Sequence, residues 1–125
     1  MIEIHLTILG PPATKKNSMQ AMCIGGKPRL LQSKKYRDYE KDALQQLWVW
    51  GNQTVPGEVE VVCRYFVPDL RKRDLTNLLA ASHVVLTKAG LIEDDSRIVS
   101  VDGSRIQGVD RENPRVEITI RQWSK

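Results

Sequence analysis

Residues Val59–Gly90 read VEVVCRYFVPDLRKRDLTNLLAASHVVLTKAG, and a change of periodicity inside this stretch decides the fold. In its first part Val59, Val61, Cys63, Tyr65 and Val67 fall on one side of a two-residue repeat, the mark of a strand with one buried face. Pro68 stops the strand, and Asp69-Leu70-Arg71-Lys72-Arg73 forms a polar loop. From Asp74 the apolar spacing turns helical. Leu75, Leu78, Leu79, Ser82, Leu86 and Ala89 mark one face of a helix over about 74–89, with Gly90 at its C-terminal end. Its second half, Ala80–Leu86, is poor in charge on every side, so the helix is expected to be buried on two sides, by a sheet and by a second surface such as a partner subunit.

Upstream, Ile2, Ile4, Leu6 and Ile8 alternate with Glu3, His5 and Thr7, predicting a strand that ends at Gly10-Pro11-Pro12. Met19–Ile24 and Pro28–Gln32 flank Gly25-Gly26, which is hairpin chemistry. Ser33 is placed to cap a helix running to about Trp50, with Tyr36, Ala43, Leu47 and Trp50 as its buried stripe and Gly51 beyond its end. Downstream come a strand near Ile98–Val101, a loop or hairpin punctuated by Gly103, Gly108 and Asn113-Pro114, and a strand over Val116–Trp123. Strand, hairpin, helix, strand, helix, strand, strand is the order of an α+β fold, a mixed β-sheet packed against two main helices. The expected organisation is a single domain over residues 1–125.

A chain of 125 residues, 41% hydrophobic and 27% charged, can bury one core without a metal or disulfide staple. Cys23 and Cys63 stand forty residues apart with no zinc-type spacing, and read as buried thiols of a cytoplasmic protein. The N-terminus carries Glu3 and His5 in place of the basic start of a signal peptide. No apolar run approaches the length of a membrane span. No P-loop or dinucleotide fingerprint and no nucleophilic triad can be read, so nucleotide-dependent and covalent-hydrolase chemistries have no support. His5 is expected on the outer face of the first strand, and His83 as a packed, hydrogen-bonded histidine.

The net charge is +4, and it is unevenly spread. Between Thr14 and Arg37 lie Lys15, Lys16, Lys27, Arg29, Lys34, Lys35 and Arg37 with no acid, and Arg71-Lys72-Arg73 stands at the mouth of the second helix. Such clusters read either as solvated surface or as a phosphate-tracking surface whose binding weakens with salt. Asp74 opens the helix with Asn77 three residues on, and Glu93-Asp94-Asp95 follows its end. Asp74 reads as a helix cap and Asp94 as a turn residue when each is taken alone. Taken together beside basic residues, these oxygens are what Mg²⁺ requires, and Mg²⁺ beside a phosphodiester activates water and stabilises the leaving oxygen. The helix between Asp74 and Asp94 is about 24 Å long, so they meet only if the chain folds back along it.

The stretch LRKRDLTNLLAASHVVLTKAGLIEDDSRIV resembles the signature of RusA-type Holliday junction resolvases: an Arg-rich loop, DLDN, a helical Lys and Asp, a Gly, then DD and an aliphatic residue. GPPATKKNS, KPRLLQSKKYRDYEKDALQQL and ENPRVEITI extend the resemblance over nearly the whole chain. It implies a homodimeric, Mg²⁺-dependent endodeoxyribonuclease that binds branched DNA, the four-way junction, and acts in recombination and repair, typically in phages and prophages. By position it implies Asp74, Asp94 and Asp95 as metal-binding, Asp74, Asp95 and Asn77 as catalytic, and Lys15, Lys16, Arg71, Lys72 and Arg73 as DNA-binding. No nucleotide cofactor is implied.

Three positions depart from that signature: Thr76 where it has its second Asp, Ala80 where it has the helical Lys, and Val84 where it has the helical Asp. A missing carboxylate weakens divalent-cation binding, and a missing Lys removes a cation that stabilises a developing phosphate charge. A second reading is therefore a catalytically impaired branched-DNA-binding protein, and a third is a dimerising scaffold. Glu93 and Asp102 lie near the expected site as further carboxylates.

Overall fold

A computed structural model describes residues 2–14, 19–32, 34–51 and 53–123, and for 19–24 and 27–32 it is the backbone that is described. Strand β4 (Val59–Val67) is the middle of the molecule, and its period-two pattern is realised: Val59, Val61, Cys63, Tyr65 and Val67 are all buried. On one side it pairs antiparallel with β7 (Arg115–Gln122), which pairs antiparallel with β1 (Glu3–Leu9). On its other side it pairs parallel with β5 (Ile98–Ser100) and then with β6 (Arg105–Val109). The register stacks Ile4, Ile120 and Val61 in one row and Leu6, Ile118 and Cys63 in the next, so β1, β7 and β4 turn the same face inward.

Helices α1 (Lys34–Leu47) and α2 (Leu75–Lys88) complete this core. Tyr36, Ala43 and Leu47 are buried on α1, and Leu78, Ala81, Ser82, Val85 and Leu86 on α2. Lys88 ties the helices together through Glu40, Nζ to Oε1 at 2.5 Å. The polar pair at the centre of the core is satisfied, with the Tyr65 and Ser82 hydroxyls 2.7 Å apart. Burial pushes the neighbouring Cys63 thiol up to about 12, which leaves it protonated and inert at neutral pH. Strands β2 (Met19–Ile24) and β3 (Lys27–Gln32) form a separate antiparallel ribbon joined by Gly25-Gly26. Ser33 as a helix cap and the Cys23 side chain lie outside the described residues.

The expected α+β architecture, a mixed sheet with two helices, is what forms. Two local readings need correction. The α-helical part of α1 ends at Leu47, and Trp48–Trp50 tighten into a 3₁₀ turn in which Trp48 and Val49 are 83% and 81% exposed. Exposed Trp48 and Val49 give an α-helix little reason to continue, while Trp50 still packs against the core as expected of the buried stripe. The segment expected as loop or hairpin contains the whole of β6. All but one of its residues are exposed, so no apolar alternation announces it, and β4 supplies the pairing.

The end of α2 sets where the next acids land. Gly90 takes a positive φ of 76°, its N–H bonds to the Thr87 carbonyl at 3.0 Å, and Leu91 N–H reaches back to Leu86 O at 3.1 Å. This is a Schellman turn with an apolar residue behind it. Leu91 and Ile92 then plunge into the core, and Val55 N–H bonds to Leu91 O at 2.9 Å beside the start of β4.

Candidate active site

The loop before α2 is shaped by one carboxylate. Asp69 Oδ1 accepts from Arg71 N–H at 3.0 Å and from Arg73 Nη2 at 2.9 Å. Arg73 Nη1 also donates to the carbonyls of Asp69 and Arg71. These donors hold the Asp69 carboxyl below its ordinary range, the Arg71 N–H contributing most and the Arg73 guanidinium next. Of the three cations expected on DNA, Arg73 is thus turned inward with 18% of its side chain exposed, whereas Arg71 is 81% exposed. Lys72 is exposed, as is Leu70 at the loop's tip. Lys15 and Lys16 lie outside the described residues.

Asp74 caps α2. Its Oδ1 accepts from Thr76 N–H at 3.0 Å and from Thr76 Oγ1 at 2.6 Å, and its carbonyl accepts from the N–H groups of Asn77 and Leu78. Asn77 sits half-buried in the first turn of the helix, beside the basic loop. Asp94 performs the same local task farther on. It caps the 3₁₀ turn Asp95–Arg97 by accepting from Ser96 N–H at 3.0 Å, and the Ser96 donors hold its carboxyl below the ordinary range. Asp95 is exposed at the start of that turn.

Asp74 stands at the N-terminus of α2, and Asp94 and Asp95 are consecutive residues at the 3₁₀ turn that follows the helix. Among the described residues no three His, Cys, Asp or Glu side chains gather in a group that could hold a metal ion. Of the neighbouring carboxylates, Glu93 is engaged elsewhere: its Oε1 accepts from Gly57 N–H at 2.7 Å. Asp102 is exposed between β5 and β6.

His83 is the residue that reasoning from spacing undervalued. It is packed into α2 as expected, but its Nε2 is buried with no hydrogen-bond partner among the described residues, contrary to the expected satisfied histidine. Burial lowers its pKa, and the Asp95 charge acts on it in the opposite direction. The backward turn at Gly90 places Asp95 within electrostatic reach of α2. Nothing in the local sequence around His83 announces that proximity. His5 does stand on the outer sheet face, its Nδ1 3.2 Å from the Thr119 hydroxyl.

Comparison with known proteins agrees with this frame. The family model for endodeoxyribonuclease RusA matches residues 10–121, a range that holds the basic loop, Asp74, Asn77 and the Asp94-Asp95 pair. The crossover junction endodeoxyribonuclease rusA of Enterobacteria phage 82 is 28% identical over 119 residues, covering 94% of this chain and 93% of its own. The crossover junction endodeoxyribonuclease RusA of Escherichia coli K12 is 31% identical over 87 residues, covering 70% of this chain and 69% of its own, and that of Shigella sonnei is equally similar.

Proposed function

Because this chain belongs to the RusA family of endodeoxyribonucleases, we propose that it is a Mg²⁺-dependent, structure-specific nuclease that resolves four-way junctions by paired phosphodiester hydrolysis. The observation that carries this reading is the family match across residues 10–121, which takes in the basic loop, Asp74 and the Asp94-Asp95 pair. Arg71 and Lys72 hold the backbone phosphates, and Arg73 keeps their loop in shape. Asn77 orients the scissile group, and Asp74, Asp94 and Asp95 are the metal-holding carboxylates. The protein acts in the cytoplasm and needs no nucleotide cofactor. Among the described residues no helix is long and apolar enough to cross a membrane.

The donor chemistry suits the ion, since Mg²⁺ takes hard oxygen ligands, keeps several waters and uses one or two carboxylates plus substrate phosphates. When bound, it supplies an activated water and charge stabilisation at the leaving oxygen. Among the described residues of one chain no three such donors gather, so substrate oxygens and water complete the set. A homodimer supports both needs: two copies match the two-fold symmetry of a junction, and a second copy is a source of further ligands.

One observation favours the alternative of a branched-DNA-binding protein with little turnover. Thr76 occupies an oxygen of Asp74 with both its N–H and its hydroxyl, and it brings no charge to replace the carboxylate the family signature has there. One assay separates the readings: nicking of a labelled synthetic four-way junction with and without Mg²⁺, with Asp95→Asn alongside. The nuclease reading expects symmetric nicks that need Mg²⁺ and fall by about 10²–10³ in Asp95→Asn, the loss typical of removing a group that stabilises transition-state charge. Salt-sensitive binding without nicks, converted to cleavage by Thr76→Asp with Ala80→Lys, is the outcome expected of the alternative.

A further inference from the structure

The face of the sheet turned away from the helices is laid out in cross-strand rows. One row runs Glu3, Arg121, Glu60 across β1, β7 and β4, and it is closed electrostatically: Arg121 pairs with Glu3 and donates Nη1 to Glu60 at 3.1 Å. Another row runs Thr7, Glu117, Arg64, Arg105 across β1, β7, β4 and β6, and it is not closed. Glu117 faces Arg64 by register, but its carboxylate accepts from Arg115 Nε at 3.1 Å, and Arg115 also bonds to Asp110 and lies over the Phe66 ring. Arg64 and Arg105 are left as direct register neighbours on parallel strands. Both are exposed, and neither enters an ion pair or side-chain hydrogen bond among the described residues.

Like charges at paired positions of adjacent strands oppose folding. Two exposed arginines at paired positions of adjacent strands instead suit an anion with several oxygens repeated along a line, since arginine binds phosphate bidentately. The position adds to the argument. Val67, where β4 ends, lies three residues beyond Arg64, and the chain then enters the loop that exposes Arg71 and Lys72. Exposed cations therefore continue from that loop, where Arg71 keeps only a 3.7 Å contact to Asp69, onto the sheet, where Arg64 and Arg105 have no acid paired with them among the described residues.

We propose that Arg64 and Arg105 form a phosphate-contact pair on the outer face of the sheet, so that DNA is held along the β4–β6 side as well as at the loop before α2. This rests on the DNA-binding reading above and adds a surface to it. Neither residue belongs to the acidic site, so the pair governs grip and not the chemistry of cleavage.

The test is fluorescence anisotropy of the full chain on a labelled four-way junction and a labelled linear duplex, over a range of KCl concentrations. Each phosphate contact contributes about 0.9 to the slope of log affinity against log salt. The double variant Arg64→Gln with Arg105→Gln is expected to lose about two from that slope. Its melting temperature without DNA should equal or exceed the wild-type value, because a repulsion has been removed. Arg121→Gln, which opens the closed row, should leave the slope as it was. An unchanged slope in the double variant overturns the pair, and so does a loss of binding that comes with a lowered melting temperature, which marks sheet damage. Failure of the wild-type chain to bind either DNA at low salt overturns the DNA reading and the pair with it, and it is seen before any variant is made.

Discussion

The two ends of α2 are held by opposite kinds of chemistry. At its start everything is polar and near water: Asp74 accepts from Thr76, and Asp69 clamps Arg73 so that the basic loop keeps its shape. At its end the work is done by backbone geometry and apolar burial, through Gly90 at positive φ and through Leu91 and Ile92 in the core. A side-chain cap is replaceable by any residue that presents an oxygen at the same place. A left-handed glycine followed by buried residues is not, because the path of the chain depends on it. The exposed end is thus free to carry function, whereas the buried end decides where the second set of acids stands.

Gly90→Ala tests the buried end and should cost the most. No atom lies within 4 Å of where the new Cβ would sit, so the cost is the left-handed backbone itself, about 1–2 kcal/mol. It should appear as a lower urea midpoint with an unchanged slope. Nicking should fall as well, because Asp94 and Asp95 are delivered by this turn. A wild-type midpoint would mean that Leu91 and Ile92 hold the path without the glycine.

At the exposed end, Asp74→Ala should cost about 1 kcal/mol for the lost cap, and Asp74→Asn only a fraction of that, since the amide oxygen still accepts from Thr76 N–H. If Asp74 also serves a cation, the two variants should be equally poor in Mg²⁺-dependent nicking despite their different stabilities. Activity that follows stability would reduce Asp74 to a cap.

The smallest effect is one of pH. The folded-state pKa of Asp69 is lowered, so its ionised form favours the folded state above the ordinary carboxylate range, and that contribution disappears as pH falls through the lowered folded value. Asp69→Asn should therefore flatten part of the acid limb of stability below about pH 4 and leave the neutral region nearly parallel to wild type. An identical acid limb would show that the loop is held by the Arg73 contacts to backbone carbonyls alone.

Much of the architecture could be read from local pattern. Strand β4 carries its alternation in five residues, α2 its helical stripe and terminal glycine, and α1 the buried Tyr36, Ala43 and Leu47. These are consequences of the period of a backbone element against a single apolar face, and they need no knowledge of a partner. Strand β6 escaped because its residues face water on both sides and owe their pairing to β4. The acids were legible as a set, but not the local hydrogen bonds that make Asp74 and Asp94 caps of the turns they open. His83 beside Asp95 and Arg64 beside Arg105 were not legible at all, since each pair joins elements that meet only when the sheet forms.

The amino-acid sequence by itself determined the α+β class, the order of the elements, the basic loop and the carboxylates that mark this family. Tertiary structure alone decided which of those charges stand together: Arg73 turned inward on Asp69, Asp95 brought within electrostatic reach of His83, and two arginines made neighbours across parallel strands. The reason is physical. Periodicity and capping act over a few residues along the chain, whereas charge–charge geometry depends on registers and turns that only the packed sheet and helices set.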